Sequence, residues 1–199
     1  MSDTPNEVDK NEDDISTVEK DMEENDASRD KDVQEEDDIS KLSRKGYQFL
    51  KEGKTADAKV CFLKILETDE ANNYALVGMG DAGRKESDFR TAITYYKRCL
   101  EHHIGNNYAL FGLADCYKAL NQYRDAIEIW EQYLLRDNKN ITVLTRVADA
   151  YRKVRNHKRS REVYLRVLEM EDRNPYAIIG LGHLHYDFKE YQEALNYWE

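Results

Sequence analysis

Three glycines give the chain its most conspicuous resemblance to a chemical site. Gly78, Gly80 and Gly83 form the string G-x-G-x-x-G, which cradles a pyrophosphate in dinucleotide-binding proteins. That chemistry needs a strand before the string and a helix that opens within it. The flanking residues instead predict that all three glycines lie inside one helix. We therefore expect them to allow close packing, and no cofactor is predicted.

The histidines lack the spacing of a metal site. His102 and His103 are adjacent, and His183 and His185 are two residues apart, whereas two ligands on one helix face are four residues apart with a carboxylate or thiolate nearby. His102 and His103 are expected at the end of a helix, where a positive charge suits the helix dipole. No nucleophile, base and orienting group recur together. The sequence therefore predicts no metal, no catalytic residue and no enzyme activity.

The cysteines and the apolar runs indicate where in the cell the protein is located. Cys61, Cys99 and Cys116 have no paired spacing, and the first ten residues lack the basic start and apolar core of a signal peptide. An odd number of thiols without a secretion signal predicts a reducing, cytoplasmic location. No run approaches the ~20 apolar residues that a membrane helix needs, so no membrane partner is predicted.

The elements that carry these residues repeat every 34 positions. Asn-Asn-Tyr-Ala-Leu at 72–76 recurs at 106–110, and a variant occupies 174–178. Each unit has small residues at its eighth and twentieth positions. Its twenty-fourth position is always aromatic: Phe62, Tyr96, Trp130, Tyr164 and Trp198. Such periodicity predicts stacked helical hairpins, with the aromatic side chain filling the space between one hairpin and the next.

The same register predicts the ends of the helices. Turn residues fall at positions 15 and 16 of each unit, and an Asn near the start of units two, three and five can cap exposed N–H groups. Pro175 is tolerated in a first helical turn. Gly83 occupies position 11 of unit two, where the other units have larger side chains. We expect a gap there.

This pattern of large, small and aromatic positions closely resembles the tetratricopeptide repeat family. The resemblance covers Ile39–Glu199 and departs from the family at position 32, which is not proline. It implies an all-α, right-handed α-solenoid of antiparallel helix hairpins that acts as a non-catalytic protein–protein interaction scaffold or adaptor. The predicted domains are an acidic arm, residues 1–38, and a solenoid, residues 39–199, with units 39–72, 73–106, 107–140, 141–174 and a partial unit 175–199.

The resemblance also places a concave groove on the first helix of each unit. Positions 2, 5, 9, 12 and 13 of that helix point away from its buried stripe, and in the family this face binds a peptide or partner protein. The groove residues predicted in this way are Tyr74, Val77, Asp81, Arg84, Lys85, Tyr108, Phe111, Asp115, Lys118, Thr145, Asp149, Arg152, Lys153, Tyr176, Ile179, His183 and Tyr186.

The chemistry of these positions limits the ligand. Family members that grip acidic chaperone tails use Lys and Asn where this chain has Val77 and Phe111, so a carboxylate clamp is not favoured. An extended or helical peptide with apolar anchors and some basic residues suits the groove better, because Asp81, Asp115 and Asp149 can contact the basic residues. Alternatively, these acids form ion pairs with bases three or four residues later, each contributing ~0.2–0.5 kcal/mol.

A second candidate site is a basic patch around the turn of unit four. Its members are Arg152, Lys153, Arg155, Lys158, Arg159 and Arg161. Three interpretations stay open: a solvated turn, a surface covered by the acidic arm, or a site for RNA or another polyanion. Polyanion binding is the alternative function, and nucleic acid is the less favoured partner because the arm would repel it.

The two ends of the chain also carry predictions. Residues 1–38 hold 17 Asp and Glu against four Lys and Arg, a net charge of −13, and few large apolar residues, so we expect this arm to be disordered. The chain stops at position 25 of unit five without a polar capping helix. We therefore expect either that the natural protein continues past Glu199 or that the raw end is covered, for instance by self-association.

Overall fold

The computed structural model describes residues 38–199, which contain ten helices and no strand. The predicted acidic arm, apart from Asp38, lies outside the described residues, and the predicted domain limits stay predictions. Helix α1 covers residues 38–51. The others are α2 (Thr55–Thr68), α3 (Asn73–Lys85), α4 (Phe89–His102), α5 (Asn107–Ala119), α6 (Tyr123–Leu134), α7 (Ile141–Lys153), α8 (His157–Met170), α9 (Pro175–Asp187) and α10 (Tyr191–Trp198).

The helices pair in chain order. From α3 onward each odd-numbered helix packs against the helix that follows it, and each even-numbered helix packs against the first helix of the next unit. The predicted all-α solenoid of helix hairpins is confirmed. Among the described residues, α3 also contacts α5 and α7 contacts α9, whereas no two even-numbered helices make comparable contact. The array therefore curves toward the odd-numbered helices, and their outer faces form its concave side.

An asparagine begins each odd-numbered helix from α3 to α9. The side chains of Asn72, Asn106, Asn140 and Asn174 each accept a hydrogen bond from the backbone N–H three residues later, which satisfies a donor that has no partner within the helix. The cap of unit four was not anticipated from the sequence. Pro175 occupies the first turn of α9, as expected.

The turn inside each hairpin has one residue with left-handed backbone geometry. These residues all occupy position 15, and their φ angles lie between 59° and 79°: Gly53, Ser87, Asn121, Arg155 and Lys189. Only glycine, and to a lesser degree asparagine, adopts this region without steric cost. The predicted turn position is therefore correct, and three units hold a strained residue there.

In units one to four the aromatic residue at position 24 is buried between hairpins, as predicted, whereas Trp198 of the partial fifth unit is 42 % exposed. Phe62, Tyr96 and Trp130 are fully buried, and Tyr164 is 2 % exposed. A glycine at position 6 of the following unit makes room for these rings in three of the four cases. A Cβ atom added to Gly112 would lie 2.3 Å from Tyr96 Cζ, and one added to Gly180 would lie 2.2 Å from Tyr164 Cζ.

Unit four differs, because its position 6 is Arg146. Helices α5 and α7 are not in the close contact that joins α3 to α5 and α7 to α9. We attribute the wider spacing to the arginine side chain, which lies on the concave side above Phe111.

The glycines of the G-x-G-x-x-G string lie inside α3 and serve packing. A Cβ at Gly78 would meet the Phe62 ring at 2.4 Å, and one at Gly80 would meet the Tyr96 ring at 2.5 Å. The gap expected at Gly83 does not exist. The backbone of α4 closes it, since a Cβ at Gly83 would lie 3.2 Å from the backbone nitrogen of Ala92.

Candidate functional site: the concave groove

A row of exposed tyrosines follows the concave side. Tyr74, Tyr108 and Tyr176 occupy the first turns of α3, α5 and α9, and 61 %, 79 % and 71 % of their surface is exposed. Ile179 and Tyr186 extend this exposed apolar surface along α9. Large apolar side chains on one exposed face are typical of interaction surfaces.

The side chains at position 5 lie deeper. Val77 is buried against the α4–α5 core, because α3 and α5 are close together. Phe111 and Thr145 are half-buried, and the Arg146 guanidinium lies 4.8 Å from the centre of the Phe111 ring. Val77 therefore forms part of the floor of the groove and offers a ligand little surface of its own.

Two hollows lie in the described part of the groove, and Arg146 lines the second of them. The first, of about 450 Å³, lies between α3 and α5 and is lined by Asp81, Arg84, Tyr108 and Phe111 among others. The second, of about 670 Å³, lies between α7 and α9. Its lining includes the predicted groove residues Lys118, Thr145, Asp149, Tyr176, Ile179 and His183. Most of the predicted groove residues thus come together in two clusters.

The acidic groove residues are already engaged by arginines. Arg84 contacts Asp81 on its own helix at 3.1 Å and Asp115 on α5 at 3.2 Å. Arg146 contacts Asp115 from α7. In the second half of the groove, Arg152 contacts Asp149 and Asp187, each at 3.1 Å. Asp81, Asp115 and Asp149 therefore already have cationic partners within the protein.

Two further interactions fix these charges in place. Burial of the Tyr96 ring, reinforced by the Asp81 carboxylate, raises the pKa of Tyr96 far above its usual range, so its hydroxyl stays protonated and donates to Asp81 over 2.7 Å. Burial opposes the charge on Arg152, yet hydrogen bonds to Asp187 and Asp149 raise the pKa of Arg152 above the ordinary arginine value. Arg152 therefore stays charged at neutral pH and keeps both carboxylates as partners.

Three lysines in the groove have no such partner. Lys85, Lys118 and Lys153 make no ion pair among the described residues, and Lys85 and Lys153 are exposed. The charge that the groove can still offer to a ligand is therefore positive. The charge of the ligand expected from the sequence stays a prediction.

Comparison with known sequences decides the family. Two sequence profiles of the tetratricopeptide repeat match residues 84–150 and 146–199, and together they span more than half of the chain. The chain belongs to the tetratricopeptide repeat family. No curated protein sequence matches it.

Solved structures share the fold of this tetratricopeptide repeat protein at low sequence identity. A tetratricopeptide repeat protein from Parabacteroides merdae ATCC 43184 has a TM-score of 0.75 at 20 % identity, and the match covers 80 % of this chain and 64 % of that one. The 41-end form of MamA from Desulfovibrio magneticus RS-1 has a TM-score of 0.76 at 14 % identity, covering 81 % and 92 %. For PilF of Pseudomonas aeruginosa the values are 0.71 and 18 %, covering 82 % and 75 %.

Family membership supports a general role as a protein-interaction scaffold, because tetratricopeptide repeats are typically non-catalytic binding modules. The structure adds two local observations. Within residues 38–199 no group of three His, Cys, Asp or Glu side chains could hold a metal ion. In the same part of the chain no helix is long and apolar enough to cross a membrane.

Two of the histidines singled out in the sequence make hydrogen bonds or polar contacts within the fold, and the cysteines are buried. His103 donates from Nε2 to the Ala71 carbonyl oxygen over 2.8 Å, and His185 contacts Glu190 at 2.6 Å. Burial raises the pKa of Cys99 and of Cys116 to about 11 each, so both thiols stay protonated and unreactive at neutral pH. The cytoplasmic location inferred from the thiols stays a prediction.

Two of the six residues of the basic patch are already engaged in ion pairs. Arg152 is only 14 % exposed and belongs to the ion pairs of the groove, and Arg159 contacts Glu162 at 3.2 Å. The other four are exposed and make no ion pair among the described residues: Lys153, Arg155, Lys158 and Arg161.

Proposed function

We propose that this tetratricopeptide repeat protein is a non-catalytic scaffold whose concave groove binds a segment of a partner protein through apolar anchors. The observation that carries the proposal is the row of exposed tyrosines, Tyr74, Tyr108 and Tyr176, beside the two hollows. Aromatic side chains contribute large contact areas at interfaces and are frequent among the residues that dominate binding energy.

The backbone that carries the tyrosines is fixed before a ligand binds. The Tyr47 hydroxyl donates to the carbonyl oxygen of Tyr74 over 3.0 Å, and the backbones at Tyr108 and Tyr176 belong to helices capped by Asn106 and Asn174. Positions on rigid helices lose little conformational freedom on binding, which favours affinity. We infer that the anchors of the partner enter the two hollows and that the tyrosine rings close over them.

The charge of the groove narrows the class of partner. Its carboxylates are neutralised by Arg84, Arg146 and Arg152, whereas Lys118 lines the second hollow without an ion pair among the described residues. A segment with apolar anchors and an acidic residue near the second hollow fits these charges better than a basic one. A carboxylate clamp stays disfavoured, since apolar Val77 and Phe111 replace the polar residues that it needs.

Selection of binders from a random peptide library against the full chain tests the proposal, because it does not require the natural partner. Amide hydrogen exchange with the best peptide then locates its footprint. We expect protection on α3, α5, α7 and α9, around Tyr108 and Tyr176. A footprint confined to the even-numbered helices would refute the groove.

Polyanion or RNA binding by the basic patch is the alternative function. The structure weakens it in one respect, because Arg152 and Arg159 are already engaged by Asp149, Asp187 and Glu162. Four exposed cations without an ion pair among the described residues are left on the patch: Lys153, Arg155, Lys158 and Arg161.

A further inference from the structure

A hollow with an apolar floor and a cationic rim lies where α8 meets the end of α9. Its volume is about 500 Å³, and we call it the basic hollow. Leu165, Leu184 and Phe188 line it together with Lys158 and Arg161. Phe188 is 54 % exposed, and its ring packs 4.7 Å from the ring of His157, which orients it. An exposed aromatic flanked by two cations suits a ligand that is both apolar and acidic.

The carboxylates around the basic hollow are already engaged by other bases. Glu162 contacts Arg159 at 3.2 Å, and Glu190 contacts His185 at 2.6 Å. Asp187, at the end of α9, contacts Arg152 at 3.1 Å. The cations left without an ion pair among the described residues are Lys153, Arg155, Lys158, Arg161 and Lys189. This surface therefore carries an uncompensated positive charge in a chain whose net charge is −10.

The chain itself contains a segment of complementary chemistry. Residues 1–38 carry a net charge of −13, and Val8, Ile15, Val18 and Met22 stand among their acids at spacings of seven, three and four residues. This is the spacing at which one face of a bound helix offers apolar anchors to a groove. We propose that residues 8–24 of the chain's own acidic arm bind in the basic hollow, with the apolar side chains on Phe188 and Leu165 and the acids on the cationic rim.

The arm is long enough to reach this site. Residues 8–24 precede Asp38 by 14 to 30 positions, and an extended chain spans about 3.3 Å per residue, so even the nearest of them can lie about 45 Å away. Packed helices are about 10 Å apart, and the basic hollow lies between units four and five, so it is about 30–40 Å from α1 along the array. The length of one helix adds about 20 Å in the perpendicular direction. The total distance of about 36–45 Å is within the reach of residues 8–24.

The apolar floor favours the arm over a nucleic acid. Phosphates gain nothing from Leu165, Leu184 and Phe188, whereas aliphatic side chains bury surface there. A tethered segment also competes at an effective concentration that reaches millimolar for a flexible linker. The basic hollow shares no residue with the groove proposed above, so the arm can occupy it while the groove binds a partner.

Photo-crosslinking within the full chain tests this inference. A benzoylphenylalanine replaces Ser16, next to Ile15, and mass spectrometry identifies the crosslinked residues at two protein concentrations. We expect concentration-independent crosslinks to α8 and the end of α9. The double variant Lys158→Glu/Arg161→Glu should lower their yield by about three- to tenfold, since exposed charge contacts each change an interaction by a few-fold.

One further variant separates apolar contact from charge, and a second controls for the position of the charge change. Ile15→Ser/Val18→Ser/Met22→Ser keeps the charge of the arm and lies outside the described helices, and it should also lower the yield. Arg90→Glu/Lys97→Glu makes the same change of charge in the corresponding hollow on α4, which Arg90, Ile93, Lys97 and Tyr117 line. The yield on α8 should be unchanged in this control.

The outcomes are distinct. Crosslinks to Tyr108 or Tyr176, crosslinks to α4, or a scattered pattern that ignores Lys158 and Arg161 would each overturn the inference. Fluorescence anisotropy with a labelled single-stranded RNA gives a second check. Binding to the full chain at physiological salt that depends on Lys158 and Arg161 would show that the site is open to polyanions and would also overturn it. Loss of groove binding in tyrosine variants has no bearing on these results.

Discussion

The seam between units three and four differs from the three other seams between hairpins. Gly78, Gly112 and Gly180 lie against the aromatic ring of the preceding unit, whereas Arg146 occupies the same position beside Trp130. At Gly112 and Gly180 the neighbouring odd-numbered helices are in contact with each other. Where arginine is present, α5 and α7 lack this contact, and the arginine lines the hollow between α7 and α9.

The polar tip of the aromatic ring also differs between the seams. The Tyr96 hydroxyl donates to Asp81 at 2.7 Å, whereas the Trp130 indole N–H has no partner among the described residues. Asp115, which corresponds to Asp81 in the next unit, is held by Arg84 and Arg146 instead. The repeat therefore keeps a large aromatic ring at position 24. At this seam, however, the aspartate contacts arginines from two neighbouring units and receives no hydrogen bond from the ring.

Removal of the aromatic side chain at the arginine seam should have the largest effect. Trp130→Ala leaves a cavity between α5, α6 and α7, and we expect a loss of about 3–5 kcal/mol in the free energy of unfolding. Urea denaturation followed by circular dichroism measures it. Trp198→Ala is the control, and its loss should be distinctly smaller because 42 % of that side chain is already exposed. Equal losses would contradict the buried seam.

A methyl group at a glycine seam should have the next largest effect. Gly180→Ala places a Cβ 2.2 Å from Tyr164 Cζ, so the ring or the helix must move at a cost of about 1–3 kcal/mol. Gly105→Ala is the control, because the three atoms nearest to the added Cβ all belong to the flexible guanidinium of Arg136. A thermal unfolding series compares them. If Gly180→Ala were as harmless as Gly105→Ala, the glycine seam would not depend on close approach.

Truncation of the arginine should cost less. Arg146→Ala removes an ion pair with Asp115 and the contact with the Phe111 ring, together worth about 1 kcal/mol at a partly exposed site. Asp115 keeps Arg84 as a partner. A double-mutant cycle with Asp115→Ala isolates the coupling between the two residues. A coupling of zero would mean that Arg146 is only a spacer.

The smallest effect is expected in the turns, and it has the opposite sign. Arg155→Gly and Lys189→Gly relieve left-handed backbone geometry at φ angles of 60° and 64°, so each should raise stability by about 0.5–1 kcal/mol. Gly53→Ala should lower it, because Gly53 has a φ of 79°. Chemical denaturation of the three variants checks both signs. Destabilisation by Arg155→Gly would mean that its side chain makes a contact that outweighs the strain.

The sequence predicted those features that depend on the period alone. Side-chain bulk at position 24 fixed the burial of Trp130 and Tyr164, and the turn position was correct in all five units. The gap expected at Gly83 was wrong, because a helix backbone can move into the space that a missing side chain leaves. Periodicity shows which residues face each other but not how closely their helices approach.

The charges of the groove could be predicted only in part. The pairs within one helix, Arg84 with Asp81 and Arg152 with Asp149, follow from a spacing of three residues. The contacts of Arg84 and Arg146 with Asp115 join residues 31 positions apart. They depend on the distance between units, which a single sequence does not specify. For this reason the groove was expected to favour a basic ligand, although its spare charge is positive.

The affinity of a library-selected peptide for tyrosine variants tests the central claim most directly. For Tyr108→Ala/Tyr176→Ala we predict a rise in Kd of at least about tenfold, since the loss of interface anchors typically costs more than 1 kcal/mol. Leu135→Ala, which truncates an 87 % exposed side chain outside the groove, should leave the Kd unchanged. Equal affinity of all three proteins for the peptide would contradict binding in the concave groove.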